Sequence, residues 1–343
     1  MAAGTSLFSD FTPVPQILNA AMSKRFVARS MELWGSWLGA GANFPIQLLN
    51  LPAYGGGQYT ENPYLSFVMT ANKRDVTSTS ALTAQKASGG NNKGVYLWRR
   101  SDLMKFSDDV NKGSPITAAQ ISQKLGEQAG EILADDVSNA VINAMVGFLE
   151  AFDSSEHAQT VWVASGDRVN LSPELIEKGR LLMGDRYGAL SHLLTRSNSR
   201  YDMKIDAYGR AFDAVAGQEL AGANGRNGLG LIPAFVDADI LTVTDAGFDK
   251  YRTILGGPGL LKFGFSQALE FEFDRDITTE TKGSYFRADW GLYIQTDHSG
   301  WNSGVGGANP AISDLSTIAN WTDGFGNHKE VPGVSIVHNY SQN

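Results

Sequence analysis

Between positions 16 and 38 the apolar residues Ile17, Ala20, Ala21, Val27, Met31, Trp34 and Leu38 recur at three- to four-residue steps, with Lys24, Arg25 and Arg29 between them. That spacing predicts a helix. Pro13 and Pro15 forbid a helix interior before it, so residues 1–15 read as an extended arm. Glycines at 39, 41 and 55–57 then break regular structure. Residues 64–70 and 94–98 are rich in aromatic and branched side chains and read as strands. The tract between them, 71–93, is polar throughout. A compact domain rarely carries so long a structureless connection. The pattern predicts a two-stranded projection with a mobile tip, and a lone hairpin is marginal in water, so it needs another surface to lie on.

The strongest local signal follows. Ser114-Pro115 is a good helix start, and apolar residues then fall at Ile121, Leu125, Ala129, Ile132, Val137, Val141, Met145, Phe148 and Phe152. A helix over 116–152 would run about 55 Å at ~1.5 Å per residue. Gly126, Gly130 and Gly147 each weaken it by about 1 kcal/mol relative to alanine, so packing must hold it. Residues 160–164 read as a short strand. Ser172-Pro173-Glu174 supplies a cap, a first-turn proline and an acid at the positive end of the next helix, which runs to about 183. A strand at 188–195, a helix from 199 to about 212, a glycine loop at 222–230 and a strand at 229–234 follow. The segment 247–255 ends in the turn Gly256-Gly257-Pro258-Gly259. Alternation within 269–273 and 285–296 predicts two long strands. A short helix at 310–319 and a strand at 334–340 close the chain.

Composition narrows the possibilities. Hydrophobic residues make up 42% and charged residues 19% of 343 positions, which is the balance of a folded chain long enough for two or three lobes. The net charge is −8. Gripping nucleic acid through its phosphates needs the opposite excess, which this chain lacks. The absence of cysteine removes disulfides, thiolate metal sites and a thiol nucleophile, and fits a reducing compartment. No secretory signal is visible, and no uninterrupted apolar run approaches the ~20 residues of a membrane helix. A soluble protein, intracellular when made, is the expectation.

Enzyme-like constellations are weak. His157, His192, His298, His328 and His338 form no helical pair or facial triad by spacing. Asp237-Ala238-Asp239 and Asp274-Arg275-Asp276 place carboxylates two apart, on one face of a strand. No calcium loop surrounds either pair, and a salt bridge through Arg275 is the favoured reading of the second. Gly39-Ala40-Gly41 and the 256–259 turn lack the lysine of a phosphate loop and the dinucleotide fingerprint. Gly264-Phe265-Ser266-Gln267-Ala268 departs from the hydrolase elbow at its last position. No catalytic residue, metal or cofactor is expected. The remaining enzyme-class alternative is a soluble β-rich hydrolase or sugar-binding module.

The order of elements carries more than any motif. An arm, a long hairpin, a long helix, a mixed lobe, paired long strands and a terminal helix and strand resemble the HK97-like capsid fold of tailed-bacteriophage major capsid proteins. Local wording supports the likeness in four places. Val95–Arg100 with Ser101-Asp102-Leu103 leads to a helix ending in Ala144-Met145-Val146-Gly147-Phe148. Leu182-Met183-Gly184-Asp185-Arg186 precedes a strand. Residues 233–239 precede 251–255 and the glycine turn. Glu272-Phe273-Asp274-Arg275-Asp276 leads to His298-Ser299-Gly300-Trp301, Asn309-Pro310 and Asn320-Trp321.

The resemblance implies an α+β fold divided into an N-terminal arm (1–58), an extended hairpin loop (59–113), a spine helix (114–157), an axial lobe (158–258), long peripheral strands (259–302) and an axial return (303–343). It implies a structural protein, not an enzyme, that self-assembles as hexamers and pentamers into an icosahedral virion shell around double-stranded DNA. Assembly would take place in the host cytoplasm, with portal, scaffolding and possibly decoration proteins as further partners and no membrane. An encapsulin-like compartment is the alternative within the fold. Aromatic and arginine side chains anchor interfaces, which makes Phe8, Phe11, Tyr64, Tyr96, Trp98, Arg99 and Arg100 the candidate intersubunit contacts.

Overall fold

In a computed structural model of the chain, the long helix forms where the periodicity places it, as α2 below. The structure describes residues 14–39, 43–49, 61–66, 88–102, 104–107, 118–151, 160–162, 170–199, 231–245, 248–276, 283–297, 299–323 and 331–339. The first helix, α1, spans Val14–Trp34. The second, α2, spans Ala118–Ala151 in 34 residues, about 51 Å at ~1.5 Å per residue. It is apolar and long enough to span a membrane by composition alone, but most of its apolar window is buried in the fold. A third, α3, spans Pro173–Leu181; the Ser172 hydroxyl accepts from the Leu175 N–H and Pro173 opens the first turn, as the sequence indicates.

The three glycines of α2 answer the question their low propensity raises. A Cβ on Gly126 would lie 2.5 Å from the Leu18 carbonyl oxygen, and one on Gly130 2.5 Å from that of Met22. Two glycines four apart thus let the backbone of α1 lie directly on α2. The helices run in the same direction, fastened at their flank by Arg25 to Glu131 at 3.4 Å and Arg29 to Asp135 at 3.1 Å. Gly147 likewise admits the Leu315 carbonyl, where a Cβ would be 2.0 Å away.

α1 buries only part of the stripe its periodicity advertises. Leu18, Met22, Ser30 and Trp34 are buried, whereas Ile17, Val27 and Met31 are exposed. In α2, similarly, Leu133 is buried and its neighbour Ile132 is exposed.

Two sheets flank α2. The first runs, edge to edge, Leu38–Gly39, Ile46–Leu48, Leu261–Asp276, Gly283–Gln295 and Val95–Arg100, with Met104–Ser107 also on the fourth strand. The short strands at 38–39 and 46–48 pair in parallel and fall inside the segment the glycines mark as broken. The two long strands pair antiparallel from Lys262↔Gln295 to Asp276↔Gly283. The second sheet runs Thr160–Trp162, Gly333–Asn339, Phe248–Gly256, His192–Thr195 and Ile232–Phe235. One of its faces packs on α3 through Leu193, Leu255, Val334 and Ile336. Its other face joins the main core through Leu194, Ala234 and Ile254. Arg252 reaches from that face to Glu150 near the end of α2 and donates to the Ile240 carbonyl at 3.2 Å. Burial lowers the pKa of this guanidinium, and the Glu150 charge opposes the shift.

The hairpin differs in detail from its expectation. Glu61–Ser66 pairs with Ser88–Lys93, from Glu61↔Lys93 to Ser66↔Ser88, so the partner strand lies within the polar tract, and 94–98 belongs to the first sheet instead. The pair forms a sheet of its own. The segment 310–319 forms two 3-10 turns, Ile312–Ser316 and Ile318–Asn320, rather than a helix. Residues 184–189 are also 3-10, and the strand expected at 188–195 is confined to His192–Thr195. Of the arm expected at 1–15, residues 14 and 15 instead open α1, where a proline is tolerated in the first turn. Residues 1–13, the expected hairpin tip at 71–87, positions 200–212 of the helix expected from 199 and the glycine loop at 222–230 lie outside the described residues.

Candidate assembly surface

Val95–Arg100 is the edge strand at the root of the hairpin, and its alternation sorts side chains to two faces. Val95 and Leu97 point to the core, and so does Arg99, opposite Trp290. The Asp136 carboxylate of α2 accepts from Arg99 Nε at 3.1 Å and Nη2 at 2.7 Å, and from Trp290 Nε1 at 3.1 Å. One carboxylate therefore ties edge strand, neighbouring strand and long helix together. A two-pronged arginine–carboxylate pair fixes direction as well as distance.

The opposite face carries Tyr96, Trp98 and Arg100. Tyr96 lies across from Tyr293 with ring centroids 4.7 Å apart, and Trp98 stacks on Tyr96 at 6.5 Å. Tyr96 is buried in this column, and Trp98 ends it with 45% exposure. Arg100 forks onto Asp289 at 2.8 and 2.7 Å. That hydrogen bonding holds the Asp289 carboxyl below the usual range. The outward N–H of Trp98 donates to Asn309 Oδ1 at 2.9 Å, so a side chain caps the exposed edge where another strand could otherwise add.

Among the seven residues singled out from the sequence, four share this strand. Tyr96, Arg99 and Arg100 have side-chain partners inside their own chain; Trp98 and Arg100 are the exposed members, and Trp98 is the exposed aromatic. Tyr64 lies on the hairpin strand Glu61–Ser66; Phe8 and Phe11 fall outside the described residues. Asn309 and Asp136, the residues that cap and clamp the strand, carry no local sequence signal, since their partners lie 211 and 37 positions away.

Among the described residues, the histidines and paired acids do not converge; His157, His298 and His328 lie outside them. His192 stands edge-on to Trp37 at 5.8 Å, on the sheet face opposite His338. His338 Nε2 lies 2.9 Å from Thr253 Oγ1, which lies 2.7 Å from Thr195 Oγ1; His338 Nδ1 lies 2.9 Å from the Asn339 carbonyl. The carbonyl can only accept, so Nδ1 carries the proton and Nε2 accepts from Thr253. Burial pushes the His338 pKa down to about 4. Asp237 accepts from the Ser197 hydroxyl and N–H, and Asp239 opens a 3-10 turn. Ser266 sits in the long strand Leu261–Asp276, not at a strand-to-helix elbow. Among the described residues, no three His, Asp or Glu side chains gather to hold a metal.

No curated protein sequence matches the chain. Solved structures do. The capsid asymmetric unit of cyanophage Pam1 superposes with a TM-score of 0.60 at 12% identity, covering 90% of this chain and 92% of that one. The capsid of Ralstonia phage GP4 gives 0.53 at 9% identity over 90% of each chain. The acid-stable capsid of Helicobacter pylori bacteriophage KHP30 gives 0.52 at 10%, over 89% and 90%. These likenesses establish the HK97-like capsid fold. The family model described as major capsid protein 13-like (Gp13-like) matches residues 49–335, from just after the strand Ile46–Leu48 into the closing strand of the second sheet. Its match spans most of the sequence, and the chain belongs to the major capsid protein 13-like family.

Proposed function

We propose that this chain is the repeating unit of an icosahedral phage head, assembling as hexamers and pentamers around double-stranded DNA. As a major capsid protein it is a structural component of the virion shell. The observation that carries the finer reading is the match of the family model to residues 49–335. The two-stranded hairpin fits it: a sheet of two strands gains stability from a neighbour's surface. We assign Trp98, at the root of that hairpin, to contact between copies, together with Phe8, Phe11 and Tyr64 of the arm and hairpin. Tyr96, Arg99 and Arg100 serve that contact by holding the strand in place. A net charge of −8 suits a container whose wall repels packed DNA and leaves it free to move. Portal and scaffolding proteins, and possibly decoration proteins, are the further partners, met in the host cytoplasm. Residues 114–157 and 259–302 form the peripheral lobe and 158–258 the axial lobe, to which 303–343 returns.

Negative-stain microscopy of the purified chain, beside size-exclusion chromatography with light scattering, tests this. Shells, tubes or capsomer rings are expected, with Trp98→Ala slowing their formation. A chain that stays monomeric even with scaffold or crowding agents would overturn the reading.

A further inference from the structure

The outer face of α1 repeats the chemistry of its inner face without a partner among the described residues. Inward, an apolar seam through Leu18 and Met22 lies on α2 and is flanked by Arg25 and Arg29, each paired with a carboxylate of that helix. Outward, Ile17, Ala20, Lys24, Val27 and Met31 follow one another at steps of three and four, so they form one stripe. Ile17 is 37%, Val27 54% and Met31 70% exposed, and Ala20 and Lys24 are exposed as well. Lys24, at the middle, forms no ion pair with any described residue. An apolar stripe with one cation at its centre fits a surface that is apolar with an acid at the matching place.

We infer that this stripe docks on an acidic apolar surface of a second copy of the chain, by a head-to-tail contact and not by pairing with the same helix of its neighbour. The inference rests on the shell reading above. Two features choose the occupant. A two-fold pairing of the stripe with itself would set Ile17 against Met31 and Lys24 against Lys24, because residue 24 is the midpoint; like charges face to face oppose that arrangement. The charge balance then points elsewhere on the chain. Val14–Trp34 carries Lys24, Arg25 and Arg29 against Glu32, a net +2, which leaves −10 for the rest of a chain whose total is −8. A different, acidic surface of an identical copy supplies what Lys24 lacks, and such unlike-surface contacts close into rings.

The test uses the full chain and follows assembly by light scattering and electron microscopy, with thermal melting as the control for folding. Val27→Asp/Met31→Asp and Lys24→Glu are expected to slow assembly at least tenfold while Tm stays within about 3 °C of the unaltered chain. Lys24→Arg is expected to assemble normally. Mixing Lys24→Glu with unaltered chain one to one separates the geometries: a stripe paired with itself would recover or gain assembly, whereas the head-to-tail contact is not rescued. Rescue by mixing overturns the inference. Normal assembly of the altered chains overturns it too. So does a large drop in Tm with assembly intact, which would mean that the stripe is covered by its own chain. If the unaltered chain itself fails to assemble, the shell reading fails and takes this inference with it.

Discussion

A single proton separates two states of His338. The imidazole is held neutral between the Thr253 hydroxyl and the Asn339 carbonyl, and burial lowers its pKa from 6.5 to about 4. In the unfolded chain it takes up a proton near the ordinary value. Above pH 6.5 both states are neutral and the full stability is present. Between pH 6.5 and 4 only the unfolded chain is protonated, so stability falls as pH falls, by about 1.4 kcal/mol per unit and about 3 kcal/mol in all. Urea unfolding at pH 7, 6 and 5, where most carboxylates remain ionised, should show that slope, and His338→Gln should remove it whatever its stability at pH 7. An unchanged slope in the variant would contradict the assignment. The sequence offered five scattered histidines and no reason to separate this one, because its threonine partners come from two other strands.

At the scale of elements, α1, α2 and α3 were legible, the helix expected at 310–319 was not borne out, and the faces were only partly legible. α2 follows from its spacing to within a few residues. α1 shows why a period alone is insufficient: the helix is apolar on two sides, and of the stripe that announced it Ile17, Ala20, Val27 and Met31 face outward while Trp34 packs in the core. The side that packs is decided by Gly126 and Gly130 on the other helix. Alanine at 130 would gain about 1 kcal/mol of helix propensity. Its Cβ would also lie 2.5 Å from the Met22 carbonyl oxygen and 3.0 Å from the Phe26 nitrogen. Both are backbone atoms, so α1 must lift. Such overpacking costs about 1–3 kcal/mol, and Gly130→Ala is expected to be net destabilising in thermal melts. A variant more stable than the parent would show that the crossing is looser than described. The strands at 38–39, 46–48 and 88–93 escaped the reading because they are short, or polar, and owe their existence to the register of a neighbour.

At the scale of the whole molecule, the order of elements identified the fold where no motif was specific. Four places with loose wording gained weight by occurring in sequence, and the family match at 49–335 covers all four of them. What the sequence could not supply was the clamp at Asp136 or the cap at Asn309, which exist only after distant segments meet. The hairpin is a sheet of its own that touches the body along Ser299–Trp301. Glu61 and Lys93 stand opposite each other, so a short Gly-Ser link from 60 to 94 should leave Tm within a few degrees while abolishing shells in micrographs; intact shells would remove the hairpin from the assembly mechanism. The pair of long strands, 16 and 13 residues, has a mechanical consequence. Their hydrogen bonds lie across the strand direction. A pull along the strands loads the whole ladder in shear, where bonds must yield together, while a pull across an end peels them singly. A wall built with these strands along the line of tension would resist internal pressure far better than one built with them across it.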